Sequence, residues 1–252
     1  TKTLQEIRVT GGEPCLSHNF WQFMEEVKKH PSPNLRVAIN SNLGVNQDII
    51  EKLINVTHEI DVKEFDIYTS CEAYGKQAEY VRYGLEFDRL FSNIDKILTV
   101  LPKVTVVIMS TFNIFSIFSY ESLIKKVYDL KLKHFNTERY WNSALILDTS
   151  YLRYPDFLGF RVLKDYLDVE YFNRCEKFMK FYSTYRSLNF YEQQSIEDVG
   201  FSTKEIEKIT RIKEIFITDS NSDISFEKEK KDFVKFIDEY KIRRGMDCEE
   251  YY

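Results

Sequence analysis

Short β-type runs alternate with amphipathic helical runs over roughly the first 140 residues of the chain. The β-type runs are rich in β-branched and aromatic residues, and the helical runs repeat apolar residues at spacings of three and four positions. Strands are predicted at residues 6–9, 36–41, 65–70, 104–111 and 134–141. Strands that alternate with helices build a parallel sheet covered by helices, so the pattern predicts an α/β fold.

Four apolar stripes between the predicted strands indicate helices that pack against this sheet. Asn46 is the predicted N-cap of the second helix, and Pro31 and Pro33 end the first. The stripes are, in chain order, Phe20, Phe23, Met24 and Val27; Ile49, Ile50, Leu53 and Ile54; Leu90, Ile94, Ile97, Leu98 and Leu101; and Leu123, Ile124, Val127 and Leu130. Side chains at these spacings are most often core residues.

Beyond about residue 145 the β-type pattern fades, and the chain is predicted to be helical with short connections. Ser202 and Glu205 match a capping box at the start of one helix, and Gly245 is the predicted end of the last. The pattern therefore predicts two regions, an α/β core at residues 1–145 and a mostly helical extension at residues 146–252.

Composition narrows the possible functions. The 252 residues are 43% hydrophobic, which suffices for a packed core, and 35 basic residues nearly balance 40 acidic ones. No basic stripe with interleaved aromatic residues occurs, and the longest apolar runs are strand-sized, so neither a nucleic-acid partner nor a membrane is expected. The four cysteines and four histidines lack metal-ligand spacing, so no metal site is predicted. Widely separated cysteines indicate free thiols in a reduced, cytoplasmic protein.

One loop carries the most specific chemistry. Gly11, Gly12, Glu13 and Pro14 follow the first predicted strand, at the carboxyl end of the sheet, where α/β folds bind ligands. The two glycines let the backbone approach a ligand, the proline fixes the exit of the loop, and the glutamate adds a carboxylate. Carbonyl and carboxylate oxygens together suit an ammonium group. An ordinary β-to-α turn is the alternative interpretation of these four residues.

A strand that ends in Gly-Gly-Glu-Pro resembles the segment with which radical SAM enzymes hold the amino group of S-adenosylmethionine. Four further segments are similar to that family: residues 39–43, 70–72, 79–84 and Asn113 after the next strand. The resemblance covers residues 4–140 well and the remainder loosely. The last helix is similar to the C-terminal helix of the twitch-domain subgroup of radical SAM proteins.

The resemblance implies a cofactor pocket for S-adenosylmethionine, with the glycines and Glu13 receiving its ammonium group and Arg82 pairing with its carboxylate. Its implied ribose contacts come from strand-end residues, and Glu72 is an acid at the rim. The residues assigned to the pocket are Gly11, Gly12, Glu13, Pro14, Asn42, Ser70, Glu72, Arg82 and Asn113. Two alternatives stay open, because Arg82 could pair with Glu79 on a helix surface and the polar strand-end residues could be simple caps.

The resemblance also implies a fold, a partial (βα)6 TIM-like barrel with a mostly helical C-terminal extension. Family members ligate a [4Fe-4S] cluster with a CxxxCxxC segment upstream of Gly-Gly-Glu-Pro. Only ten residues precede Gly11, so this segment and the first barrel strand are absent, and we expect the sequence to be N-terminally truncated. The cluster ligands are thus expected outside this chain.

The function implied by the resemblance is that of a radical SAM oxidoreductase, and without the cluster ligands this chain by itself is expected to be inactive. Such an enzyme reduces S-adenosylmethionine with a one-electron donor and uses the resulting 5′-deoxyadenosyl radical on a substrate. The twitch subgroup favours a peptide or protein substrate. The alternative function is a non-catalytic, degenerate barrel that binds a ligand or a partner protein.

Overall fold

The computed structural model describes residues 4–135, 144–184, 200–222 and 224–252. The chain divides into two compact units. The first consists of Thr1–Ser70, Asp88–Ile108 and Leu130–Ile146, and the second of Cys71–Phe87, Met109–Asp129 and Leu147–Tyr252. The boundary between an α/β core and a helical extension near residue 145 stays a prediction.

Five strands form one sheet in the order of the sequence. They are β1 (Glu6–Val9), β2 (Ser32–Asn40), β3 (Val62–Ser70), β4 (Val104–Phe112) and β5 (Leu145–Tyr151). Ile7 pairs with Val37, and Val37 pairs with Phe65, in parallel register. Because the order never reverses, the sheet has no topological switch point of the doubly wound kind.

Eight helices lie within the described residues. They are α1 (His18–Lys29), α2 (Gln47–Glu59), α3 (Lys76–Val81), α4 (Phe87–Val100), α5 (Tyr120–Lys133), α6 (Val169–Thr184), α7 (Thr203–Ser220) and α8 (Glu227–Arg244). None of the helices in the described part of the chain is both long enough and apolar enough to cross a bilayer. The α/β fold predicted from the alternating pattern is confirmed.

The structure confirms the three helix ends that were predicted from the sequence. The Asn46 side chain accepts a hydrogen bond from Ile49 N, and Ser202 and Glu205 form a reciprocal capping box. Gly245 ends α8 in the left-handed conformation, with a φ of 66°. At each of these three helix ends, the residue predicted from the sequence makes the capping hydrogen bond or adopts the left-handed conformation that ends the helix.

The fifth strand corrects the sequence analysis. The β-type pattern was predicted to fade beyond residue 145, yet β5 occupies Leu145–Tyr151. Residues 136–141 of the strand predicted at 134–141 lie outside the described residues, and His134 follows the end of α5. The alternation in β5 buries Leu145, Leu147 and Thr149, but its intervening aspartate and serine are rare in strands and obscure the pattern.

In the first unit, one face of strands β1 to β3 is apolar and the opposite face is polar. Val37, Ile39, Phe65 and Ile67 are buried apolar residues at alternate positions of β2 and β3. The opposite face of the same strands carries Glu6, Arg8, Arg36, Asn40, Glu64, Asp66 and Tyr68. Parallel strands are usually apolar on both faces, so the polar face is a departure that suits a ligand-binding surface.

In the second unit, α6 and α7 are joined through a buried carboxylate. Glu176 accepts hydrogen bonds from Lys180 Nζ and Thr210 Oγ1, each at 2.7 Å, and forms an ion pair with Lys213. Burial opposes ionisation of this carboxylate, but these bonds outweigh it and lower the pKa of Glu176 to about 2. The carboxylate is therefore ionised over the whole physiological pH range.

Glu176→Gln should lower the free energy of unfolding by about 2 kcal/mol at pH 7. The folded-state pKa is depressed, so the stabilisation is present above the unfolded-state pKa of about 4.3 and disappears as the pH falls through about 2. Urea unfolding at several pH values should show the wild type and the variant converging between those two values. Glu214→Gln, at an exposed position of α7, is the control and should change little. A difference independent of pH would contradict this account.

Candidate functional site

The loop after β1 has the backbone of a glycine-specific turn. Gly11 and Gly12 adopt φ angles of 94° and 55°, in the left-handed region that other residues avoid. Apart from the glycine itself and its two chain neighbours, no described atom lies within 4 Å of the position that a Cβ atom would take at either glycine. Pro14 is buried and begins a 3-10 turn at Pro14–Leu16. The loop thus presents open backbone beside a rigid exit.

Glu13 fixes this loop to the end of β2. Its Oε1 accepts hydrogen bonds from Ser41 Oγ at 2.7 Å and Cys15 N at 3.2 Å, and its Oε2 accepts from Asn42 N at 2.7 Å. All three partners are donors, so the site requires a carboxylate and not an amide. Oε2 has a single donor in the described residues and keeps room for another.

The turn after β2 is held from behind by a buried asparagine of α4. Asn93 donates to Leu43 O at 2.7 Å and to Val45 O at 3.2 Å, and it accepts from Gln47 Nε2. Leu43 itself has a φ of 51° and is fully buried, a conformation that costs a branched residue about 1 kcal/mol. Asn93 and the burial of Leu43 offset that cost and fix the residue before it, Asn42.

Asn42 and Ser70 have polar atoms available for a ligand. Asn42 is exposed, and its Oδ1 accepts from Gly44 N at 2.9 Å while its Nδ2 has no partner in the described residues. Ser70 is the last residue of β3, is half-buried, and has no hydrogen bond from its hydroxyl within the described part of the chain. Both residues lie at strand ends in the first unit, as the sequence predicts.

Gly12→Ala should lower the free energy of unfolding by about 1 kcal/mol, because alanine in the left-handed conformation clashes with its own carbonyl group. Urea unfolding measures the loss. The control is Gly44→Ala, where the φ lies outside the left-handed region and the new Cβ would meet Asn42 Oδ1 at an ordinary 3.5 Å. Equal losses in both variants would contradict the assignment of a strained turn at Gly12.

Glu72 and Arg82 form a bidentate ion pair in the second unit. Arg82 Nε donates to Glu72 Oε2 and Arg82 Nη2 donates to Glu72 Oε1, both at 2.6 Å. The Glu72 side chain is 6% exposed and the Arg82 side chain 38%. Fork-to-fork geometry at these distances makes a strong charge-assisted pair. Arg82 Nη1 has no partner among the described residues.

The short helix α3 sets the position of Arg82. Its C-cap residue is Arg82, whose extended backbone turns the side chain away from the helix surface. Glu79, the alternative partner, accepts a hydrogen bond from Phe87 N at 3.0 Å instead. Tyr240 of α8 donates to the backbone oxygen of Tyr80 at 2.7 Å and contacts its ring. The C-terminal helix therefore holds the segment that carries Arg82.

Asn113 follows β4 and is committed to a local turn. Its Oδ1 accepts from Phe115 N at 2.9 Å, and its Nδ2 donates to Thr111 O at 2.9 Å. Asn113 is 7% exposed. These bonds use the side chain as a strand-end cap, the alternative that the sequence left open, and a ribose contact stays a prediction.

The cysteines do not suit a [4Fe-4S] cluster. Burial, followed by the charge of Glu13, raises the pKa of the Cys15 thiol to about 12, and burial likewise raises the pKa of Cys71 to about 12. Without a metal ion nearby, these two thiols stay protonated at neutral pH. Among the described residues no three histidine, cysteine or acidic side chains are grouped as a metal-binding set. The described residues thus offer no ligand set for such a cluster.

Two contacts of the candidate site were not predicted from the sequence. Ser41 is the last residue of the strand predicted at residues 36–41. The sequence gives no signal that its hydroxyl donates a hydrogen bond to Glu13, a contact that only the folded loop makes. The partner of Arg82 is Glu72, ten positions earlier, a separation for which no helix or strand spacing gives a signal.

Comparison with known proteins gives a distant structural likeness. No protein-family model and no curated protein matches the chain. Among solved structures, it is similar to SuiB from Streptococcus suis bound to S-adenosylmethionine, at 12% identity, and to SuiB bound to precursor peptide SuiA, at 14% identity. Both alignments have a TM-score of 0.45 and cover 72% of this chain and 36% of the SuiB chain. The chain therefore spans about a third of the length of the solved structures that it matches.

Proposed function

We propose that this chain is the S-adenosylmethionine-holding part of a radical SAM enzyme. The observation that carries the proposal is the loop Gly11 to Pro14, where two left-handed glycines precede a carboxylate fixed by Ser41 and Asn42. An ordinary β-to-α turn needs neither the second glycine nor an anchored acid. The arrangement supports recognition of an ammonium group beside open backbone.

The fold proposed for the complete protein is a (βα)6 TIM-like barrel, of which this chain forms a part. The sequential strand order from β1 to β5 supports winding in one direction, as barrels require. In such folds the ligand lies at the carboxyl ends of the strands, where Gly11, Asn42 and Ser70 are placed in the first unit.

Each side chain has a proposed role in holding the ligand. Glu13 Oε2 accepts one ammonium hydrogen, and the backbone oxygens of Gly11 and Gly12 accept others. Arg82 pairs with the ligand carboxylate through Nη1 while its other edge stays on Glu72. The roles proposed for the remaining residues are ribose contacts by Asn42, Ser70 and Asn113.

The chemistry proposed for the whole enzyme follows from the ligand. S-adenosylmethionine, reduced by one electron, is the source of a 5′-deoxyadenosyl radical that attacks the substrate, for which we propose a peptide or protein. The residues of this chain bind and orient the ligand, and the cofactor supplies the radical chemistry. The cluster ligands and the electron donor are proposed to come from outside the described residues.

Calorimetric titration of the chain tests this proposal. We expect saturable binding of S-adenosylmethionine and at least about tenfold weaker binding of 5′-methylthioadenosine, which lacks the amino-acid end that Glu13 and Arg82 recognise. Equal affinity for the two compounds would mean that the amino end is not recognised. No binding of either compound would remove the basis of the proposal.

A further inference from the structure

The polar face of the first three strands contains an organised group of charges. Arg36 on β2 bonds to Asp66 on β3, with Nε 2.6 Å from Oδ2, and its Nη2 donates to Tyr68 Oη at 3.3 Å. Asp66 is 5% exposed, and burial raises the pKa of this carboxyl group despite its arginine partner. Tyr68 is therefore fixed at its hydroxyl end by a guanidinium that is itself anchored to a buried acid.

Arg8 on β1 stacks on the aromatic ring of Tyr68. Its Cζ is 4.0 Å from the centre of the Tyr68 ring, and its Nε donates to Asn40 Oδ1 at 3.1 Å. Arg8 pairs in register with Ala38 on β2, whose small side chain lets the arginine lean across towards β3. Ring stacking and one hydrogen bond together hold the guanidinium plane in place.

The remaining edge of Arg8 has no partner among the described residues. Nη1 and Nη2 make no hydrogen bond or ion pair with any described residue, although Arg8 is exposed. That edge is the fork that binds a carboxylate with two parallel hydrogen bonds. A stacked, oriented guanidinium loses little freedom when it binds, which favours recognition over simple solvation.

The surrounding charge decides which anion fits. Arg8 and Arg36 share this face with Glu6, Glu64 and Asp66, so the group carries one more acid than base. A dianion such as a phosphate would meet repulsion from these carboxylates. A single carboxylate carries less charge than a dianion and needs only one fork, so this face favours it over a phosphate.

We propose that Arg8, oriented by Tyr68 and Asn40, is a binding position for a carboxylate group of a ligand other than S-adenosylmethionine. Under the proposed function that ligand is the substrate, and its carboxylate belongs to an acidic side chain or to a chain terminus. Arg36 and Asp66 act as positioning residues because they touch Tyr68 or its partner and not the ligand.

NMR titration of the Arg8 Nε–Hε signal tests the site without S-adenosylmethionine. The probes are N-acetylglutamate α-amide, which carries a side-chain carboxylate, N-acetylglycine, which carries a terminal one, and methyl phosphate. Saturable shifts with either carboxylate and weaker binding of methyl phosphate are expected, and the stronger carboxylate identifies its source. Arg8→Lys keeps the charge but loses the fork, and should weaken the preferred probe about tenfold or more.

Two further variants make the result decisive. Tyr68→Leu removes the ring and should weaken the probe, whereas Tyr68→Phe should retain most of the affinity. Arg153→Lys is the matched control, because Arg153 also faces a tyrosine ring, at 5.2 Å from Tyr151, and should not change probe binding. Probe binding unchanged by Arg8→Lys, or equal binding of methyl phosphate, would overturn the proposal. Displacement of the probe by S-adenosylmethionine would also overturn it, and absence of S-adenosylmethionine binding alone would not.

Discussion

Arg82→Ala should lower the free energy of unfolding by about 3–4 kcal/mol, the largest loss we expect from any single substitution of a site residue. The substitution leaves the Glu72 carboxylate, 6% exposed, without the two hydrogen bonds that now hold it. An uncompensated buried charge costs about 3–5 kcal/mol, and the 38% exposure of the Arg82 side chain places the effect towards the lower part of that range. Urea unfolding at pH 7 measures the loss.

The double variant Glu72→Gln with Arg82→Ala separates this cause from a loss of packing. Removing the carboxylate charge should restore part of the stability that Arg82→Ala costs, because the buried charge is then absent. Arg174→Ala is the control for a surface pair. Arg174 is 57% exposed and lies 3.4 Å from Glu121, so we expect less than about 1 kcal/mol. Equal losses from Arg82→Ala and Arg174→Ala would contradict a desolvated Glu72–Arg82 pair.

Glu13→Gln should weaken binding of S-adenosylmethionine by about 10- to 100-fold, which corresponds to about 1.4–2.7 kcal/mol. The variant removes the charge that we propose faces the ammonium group, and it also sets an amide against the donors Ser41 Oγ and Asn42 N. Calorimetry measures the affinity.

Binding of 5′-methylthioadenosine to the same variant distinguishes the two effects. This compound has no ammonium group, so loss of the charge leaves its affinity unchanged, whereas collapse of the loop lowers both affinities together. Glu79→Gln is the control, because its amide oxygen can still accept from Phe87 N and its charge is assigned no ligand contact. An S-adenosylmethionine affinity unchanged by Glu13→Gln would mean that the family resemblance misplaced the ammonium site.

The elements whose signals are local were predicted well. β1 was predicted at its observed residues, and helix ends at Asn46, Ser202 and Gly245 follow from single side chains or φ angles. β5 was missed because its polar positions, Asp148 and Ser150, weaken a pattern that otherwise alternates. Short strands are defined by their neighbours in the sheet, and a local pattern does not contain those neighbours.

The sequence predicted where the candidate site residues lie along the strands but not the contacts that they make. The sequence placed Glu13 and Asn42 at the ends of successive strands, and in the fold the backbone N–H of Asn42 donates to the Glu13 carboxylate. It did not give Ser41 as the second partner, nor Glu72 as the partner of Arg82. Those pairings depend on side-chain directions in loops, for which neither helical nor strand periodicity applies.

The most direct test of the central claim is amide NMR of the chain during titration with S-adenosylmethionine. We expect the amide signals of Gly11, Gly12 and Asn42 to shift together and to saturate at the dissociation constant that calorimetry gives. Asn42 is the most diagnostic reporter, because its N–H is bound to the Glu13 oxygen that we assign to the ammonium group. Saturable binding that shifts Gly200 or Gly245 and leaves these three amides unmoved would contradict the account.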